Sequence, residues 1–310
     1  MVVNFNKLLI ILKNPKKIVR VLGDKKFFNW LPDRLYLKLV YWAETGKKLN
    51  LKNPQTFNEK LQWLKLYDRN PLYTKLVDKY EVRKYIAETI GKEYLIPLIG
   101  VYNNVEEIDW ESLPNQFVLK CTHGSGANII CSDKSKLDIE DAKKKLKKWM
   151  KKNWFWFGRE WPYKNVKPRI ICEKFISDKG YTPDDYKVLC FNGKARLIEV
   201  HIDRYTMHKQ DFYDIHWNKT NISQGGTNSN LIYEKPKCLK EMINLSEKLA
   251  SDMFHVRIDW YIVKGKLYFG EITFYDGSGF TTFDKDDDDY LLGSWLKLPN
   301  KEIKYLKGKK

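Results

Sequence analysis

The stretch from Val256 to Phe274, VRIDWYIVKGKLYFGEITF, restricts this chain more than any other. It alternates with period two on both sides of a Lys264-Gly265 step and is rich in β-branched and aromatic residues, the pattern of an antiparallel hairpin. One alternating set, Ile258, Trp260 and Ile262, then Tyr268, Gly270, Ile272 and Phe274, is almost wholly apolar and predicts a face against helices. The other contains Arg257, Asp259 and Tyr261, then Phe269, Glu271 and Thr273. A three-residue loop, Val263-Lys264-Gly265, with positive φ at Gly265 keeps each set on one side; a two-residue loop would scramble them. Arg257, Asp259, Glu271 and Thr273 are therefore expected to project from one face.

Cross-strand neighbours have Cβ atoms roughly 4.5–8 Å apart. Two carboxylates that close repel unless a cation lies between them, and magnesium, which takes oxygen ligands and bridges carboxylates to phosphates, suits the position. Arg257 would then neutralise a transferring phosphoryl or acyl phosphate. The plainer alternative, an Arg257–carboxylate salt bridge on an exposed sheet, stays open from this hairpin alone.

Earlier, NQFVLKCTHGSGANIICSDK (115–134) offers two apolar runs around a small flexible segment. Lys120 closes the first run before His123-Gly124-Ser125-Gly126, whose backbone N–H groups can cradle phosphates; an ordinary hairpin fits the local pattern equally. RIICEKFI (169–176) reads as a strand passing through Glu173-Lys174-Phe175-Ile176, an edge able to receive an adenine, and Asp185-Tyr186-Lys187 opens the next strand. Asn192-Gly193 marks a second hairpin, between 186–191 and 194–203.

The first 92 residues read as mostly helical. Phe57, Leu61, Leu64 and Leu66 recur at helical spacing, and Leu76, Tyr80, Arg83 and Ile86 share one face of a helix that Gly91 can end. Asp138 to Lys152 is a helix with Ile139, Ala142, Leu146, Trp149 and Met150 inward and seven lysines outward. Another runs from about Leu239 to Met253. Helices between antiparallel hairpins indicate an α+β class. The expected division is 1–92, helical, and 93–310, catalytic, with lobes of roughly 93–172 and 173–310.

Lys and Arg total 56 against 39 Asp and Glu, a net charge of +17 that favours anionic partners. Five cysteines without a CxxC pair (Cys121, Cys131, Cys172, Cys190, Cys238) suggest reduced, buried thiols and a cytoplasmic setting. His201, His208 and His216 lack zinc spacing. The N-terminal segment, with Leu8 to Leu12 followed by lysines and Pro15, is too short to span a bilayer. It reads as a docking helix or as a basic foot on the inner face of a membrane.

In order, the chain presents a lysine, a glycine loop, E-K-F-I, D-Y-K, R-x-D and E-x-T. This order resembles the ATP-grasp superfamily. More closely, residues 53–299 resemble its TupA-like branch, found with bacterial capsule and cell-wall polysaccharide genes, through NPQTFNEKLQWLK, FVLKCTHGSG, CEKFI, DYKVLCFNGK, VRIDWYIVKGKLYFGEITF and LGSWLKL. The resemblance implies an ATP-grasp fold, two α+β lobes clasping ATP. Lys120 would contact the α- and β-phosphates under a lid of Gly124, Ser125 and Gly126. Glu173, Lys174, Phe175 and Ile176 would line the adenine hinge, with Asp185 near the ribose and Lys187 near the phosphates. Asp259, Glu271 and Thr273 would hold Mg2+, and Arg257 would steady an acyl phosphate. Thr273 stands where many ATP-grasp enzymes have asparagine. His123 either touches phosphate or anchors the loop.

The implied activity is an ATP-dependent carboxylate–amine ligase joining an amino acid or small amine to a uronic acid of a surface polysaccharide. A kinase or glycosyltransferase of the same pathway is the alternative, but the acidic run Asp284 to Asp289 reads as solvated loop and not as a sugar-nucleotide metal motif. A basic nucleic-acid-binding module would need aromatic and basic residues interleaved on one surface; here the aromatics alternate as core positions, and no nucleic acid is expected. A homodimer is open by analogy.

Overall fold

The computed structural model describes residues 19, 23, 27–177, 182–202, 209–225, 228–229 and 231–299. The expected apolar segment Leu8 to Leu12, together with Asp203 and His208, lies outside them.

Four helices open the described chain: α1 (Asp33–Thr45), α2 (Phe57–Tyr67), α3 (Leu72–Val77) and α4 (Val82–Thr89). Thr56 starts α2 with a capping box: its side chain accepts from the Glu59 N–H while the Glu59 carboxylate accepts from the Thr56 N–H. The single helix expected through Leu76, Tyr80, Arg83 and Ile86 is in fact two. Asp78 breaks it by accepting from the backbone N–H of Tyr80 and Glu81, the local competition with helix that aspartate offers.

Two antiparallel sheets follow. The first has the order β1 (Leu98–Tyr102), β4 (Ile170–Lys174), β2 (Phe117–Cys121), β3 (Asn128–Cys131). Helix α5 (Ile139–Met150), capped by Asp138, lays Ala142 and Leu146 on Phe117, Leu119 and Cys172 of that sheet. A short helix, α6 (Phe155–Gly158), leads back to β4, inside which the expected 172/173 lobe boundary falls. The second sheet runs β7 (Lys209–Tyr213), β6 (Lys194–Ile202), β5 (Asp185–Phe191), β8 (His255–Val263), β9 (Lys266–Thr273). Helix α7 (Leu239–Ala250) covers one face, where buried Trp260 donates its indole N–H to Ser246 at 2.8 Å. The other main helix, α8 (Asp286–Trp295), packs on α2.

The β8–β9 hairpin departs from the expected geometry in an instructive way. Its loop has two residues, Lys264 and Gly265, both at positive φ (52° and 76°), with Val263 paired to Lys266. Such a loop alone would scramble the faces. A bulge at Gly270 restores them: Trp260 pairs with Phe269, but Asp259 pairs with Glu271 and Arg257 with Thr273. Phe269 therefore belongs with Trp260 and Tyr268 with Tyr261, the reverse of the sequence reading at the tip, while the four polar residues at the base share a face as expected. Glycine suits the bulge, because a Cβ there would stand a tight 3.0 Å from the Asp259 carbonyl oxygen.

The acidic run is solvated only in part: Asp284, Asp286 and Asp287 are exposed. Asp286 to Asp289 form the first turn of α8, where acids complement the helix dipole, and Asp288 and Asp289 are buried. Asp289 accepts from the Asn58 backbone N–H at 2.9 Å and so satisfies the start of α2.

Candidate active site

Strand register gathers charge into one row. Glu199 of β6 pairs with Lys187 of β5, Lys187 with Asp259 of β8, and Asp259 with Glu271 of β9. Acid, base, acid and acid thus cross four strands side by side. Glu199, Lys187 and Asp259 are all buried. Burying such charges is costly unless each is paired, and here each is.

Arg257 is the hub. It donates to Asp259 through Nε at 2.7 Å and Nη2 at 2.8 Å, and through Nη1 to Asp276. Its Nη2 also lies 3.6 Å from Glu271 Oε1 and 3.4 Å from Thr273 Oγ1. The Thr273 hydroxyl in turn donates to Glu271 at 3.1 Å. Lys187 Nζ stands 3.0 Å from His201 Nε2 and 3.9 Å from Glu199. Burial works against the Glu271 carboxylate, but Lys79, Arg257 and Lys187 together hold it well below the usual carboxylate range. Glu199 is depressed in the same way by Lys187, His201 and Arg257 against its burial. Asp259 is raised: burial and neighbouring Glu271 outweigh Arg257 and Lys187.

The glycine loop meets this row. Lys79, just after α3, donates to the Gly124 carbonyl at 3.0 Å and pairs with Glu271 Oε2 at 2.9 Å. Ser125 lines a cavity of about 250 Å³ together with Arg257, Glu271, Thr273, Glu160 and Phe157. Gly124 packs under Trp154, where a Cβ would be 3.3 Å from the ring. His123 is buried with Nε2 3.2 Å from the Trp149 carbonyl, contacts that suit the anchoring alternative. Burial lowers its pKa.

Lys120 pairs with Glu173 Oε2 at 2.8 Å, and Arg83 donates to Glu173 Oε1 at 2.8 Å, so both oxygens of that buried carboxylate are held by cations. Lys120 and Glu173 line a cleft between the sheets with Phe175, Ile176, Asp185 and Tyr261; Lys174 also borders it. Lys120, Lys79, Phe269 and Gly270 border a smaller space alongside. The cleft is apolar on its Phe175 and Ile176 side and charged on the other, which suits a base at one end and phosphates at the other.

Among the described residues no group of three or more His, Cys, Asp or Glu is arranged to hold a metal. The donor set expected here is smaller, two facing carboxylates and a hydroxyl. It fits magnesium, which uses one or two carboxylates and completes its shell with phosphate oxygens and water. In the structure these acids are already paired: both Asp259 oxygens are held by Arg257, the salt bridge left open by the sequence but buried and not exposed, and Lys79 holds Glu271 Oε2, so a metal would displace these cations. His201, for its part, sits in the Lys187–Glu199 cluster and not in a zinc site.

The family profile described as TupA-like ATPgrasp matches residues 59–297. The chain belongs to the TupA-like ATP-grasp family. A search of curated proteins returns no match. Among solved structures the TupA-like chain is similar to a D-alanine–D-alanine ligase from Bacillus anthracis complexed with ATP, at 16% identity and TM-score 0.38 over 64% of this chain and 54% of that one. It is similar also to the D-alanine–D-alanine ligase from Helicobacter pylori, at 14% and 0.42 over 78% and 69%. For the L-amino acid ligase from Bacillus licheniformis the values are 11% and 0.38 over 84% and 55%. The TupA-like chain thus spans little more than half of the first of these proteins.

Of the residues expected from the sequence, Lys187, Arg257, Asp259, Glu271 and Thr273 lie together, whereas Lys120 sits on Glu173 and borders a separate space that it shares with Lys79. Sequence reasoning missed Lys79, Glu199 and Asp276, each of which touches one of the residues that lie together. Arg83 was read only as part of a helix face. The E-x-H spacing of Glu199 and His201, opposite D-Y-K across Asn192-Gly193, was the available signal for one of the missed groups.

Proposed function

We propose that this TupA-like protein is an ATP- and magnesium-dependent carboxylate–amine ligase, joining an amino acid or small amine to a uronic acid carboxylate of a bacterial surface polysaccharide. One observation carries the reading: the tip of the glycine loop, Arg257, Glu271 and Thr273 line one cavity, with Lys79 tying loop to acid. That arrangement supports phosphoryl transfer, in which the protein supplies position and charge neutralisation.

In this reading Lys120 and Lys187 bind the phosphates and Gly124, Ser125 and Gly126 exclude water from above. Phe175 and Ile176 hold the adenine, with Lys174 and Glu173 at the hinge and Asp185 near the ribose. Asp259, Glu271 and Thr273 hold magnesium, which offsets charge on the phosphate oxygens. Arg257 stabilises the acyl phosphate on which an amine acts. His123 keeps the loop in register with α5. The cavity continues past Glu271 to Glu160 and the rings of Trp154, Phe157 and Tyr163, a wall suited to a sugar ring and a polar amine.

The test is ADP release with magnesium, ATP, a panel of uronic acids and a panel of amino acids, wild type beside Glu271→Gln. The expected result is ADP, not AMP, dependent on both panels, and a loss of about 10²-fold or more in the variant. Full turnover in a folded Glu271→Gln protein, or AMP as product, would remove the ligase reading.

A further inference from the structure

Helix α1 is held firmly from behind. Tyr36, Leu37, Val40 and Tyr41 are buried, packed with Leu49 and Leu51. Arg159 donates to the Phe28 carbonyl at 3.0 Å and stacks 4.4 Å from the Tyr36 ring. The rigid support matters because the opposite face is not what a solvated helix presents. Leu35 is 53% exposed and Trp42 41%, and the turn before the helix adds Trp30 at 75% and Phe27 at 60%. Arg34 and Lys38, also exposed, share the outward face at i and i+4, with Trp42 one turn further.

We propose that this face of α1, with Phe27 and Trp30 beside it, is a docking surface for the anionic phospholipid of a bilayer. Tryptophan and leucine flanked by arginine and lysine are the chemistry of an interfacial helix: rings enter the headgroup boundary while the cations meet phosphate. Charge complementarity selects the occupant. The chain carries +17, and the 26 residues leading into this patch contain seven basic residues against one acid, Asp24. Each basic residue near an anionic surface adds about fivefold in affinity. A second copy of the chain fits less well, since apposed faces would bring Arg34 and Lys38 against their own counterparts. Among the described residues no helix is long and apolar enough to cross a membrane. The inner side of the same helix contributes Tyr36, Val40 and Glu44 to a cavity of about 330 Å³ that shares Phe157 and Gly277 with the cavity at Glu271. A docked chain therefore holds that cavity beside the lipid surface. The proposal stands independently of the ligase reading.

Sedimentation of the full chain with vesicles tests it, using phosphatidylcholine alone and phosphatidylcholine mixed with phosphatidylglycerol. Binding is expected only with phosphatidylglycerol, to weaken with salt, and to fall about tenfold in Trp30→Ser/Trp42→Ser. The circular dichroism of the double variant checks that the helix is kept, Trp30 being 75% and Trp42 41% exposed. Brominated phosphatidylglycerol should quench tryptophan fluorescence in the wild type more than in the double variant. Absent binding, or binding equal in the double variant, overturns the proposal. So does a dimer in light scattering that the double variant dissociates, which would make the occupant a second copy.

Discussion

Lys79 and Glu271, 192 residues apart in the chain, meet in a 2.9 Å ion pair while the same ammonium holds the Gly124 carbonyl. One side chain from the helical region thereby links the glycine loop to an acid of the candidate magnesium site. It also does more than any other charge to keep the Glu271 carboxylate ionised against its burial.

Replacing Lys79 with methionine keeps the stem and removes the charge. Breaking a fully buried pair costs about 3–5 kcal/mol; the Glu271 side chain is 28% exposed, so screening reduces this to about 1–2 kcal/mol. Lys79→Met should unfold at correspondingly lower urea concentration and bind ATP at least about tenfold more weakly by titration calorimetry, since the loop loses its tether. A variant that is destabilised yet binds ATP as the wild type does would reduce Lys79 to a structural role.

Gly270 carries a sharper expectation. Its bulge is what sets Asp259 opposite Glu271, and a side chain there presses on the Asp259 carbonyl, with a Cβ 3.0 Å from its oxygen. Gly270→Val should cost about 1–3 kcal/mol and lower turnover further than that loss explains, because relaxation moves both acids at once. Lys266→Ala, exposed at the hairpin end, serves as the neutral control. Comparing kcat for the two at a temperature where both are folded decides the matter; equal values would mean that the register tolerates the added Cβ.

That bulge also shows how far the sequence could be read. Period-two alternation placed Arg257, Asp259, Glu271 and Thr273 together correctly, although the three-residue loop invoked for it is a two-residue loop whose slip Gly270 cancels. The tip, where nothing cancels it, was read with Phe269 and Tyr268 exchanged. The row Glu199–Lys187–Asp259–Glu271 was beyond reach for a different reason: each strand pattern is local, but the register between two hairpins depends on contacts some 60 to 80 residues apart in sequence. Lys79 and Asp276 had no pattern at all, being single charges whose partners are fixed only by the fold. The acids of α8 misled because a run of aspartates reads as solvated unless the neighbouring helix start that Asp289 satisfies is known.

His255 gives a pH dependence whose sign follows from its burial. It lies between the rings of Phe57 and Phe191, each centroid 4.9 Å away, and burial pushes its pKa down to about 3. In the unfolded chain the imidazole titrates near 6.5, so below about pH 6.5 the unfolded state binds the extra proton and stability falls as pH falls. Near pH 5 the loss is on the order of 2 kcal/mol. The depressed carboxylates Glu199 and Glu271 also lose their contribution on acidification, but only as pH drops through the unfolded carboxylate value of about 4.3, while Asp259 and Asp289, raised by burial, act in the opposite sense to histidine. His123, lowered by burial as well, acts in the same sense as His255. The difference between wild type and His255→Phe therefore isolates one ring. Urea unfolding at about pH 6.5 and about pH 5 should show the wild type losing about 2 kcal/mol more than His255→Phe; parallel losses in the two proteins would mean that His255 takes up its proton without unfolding the strand that carries it.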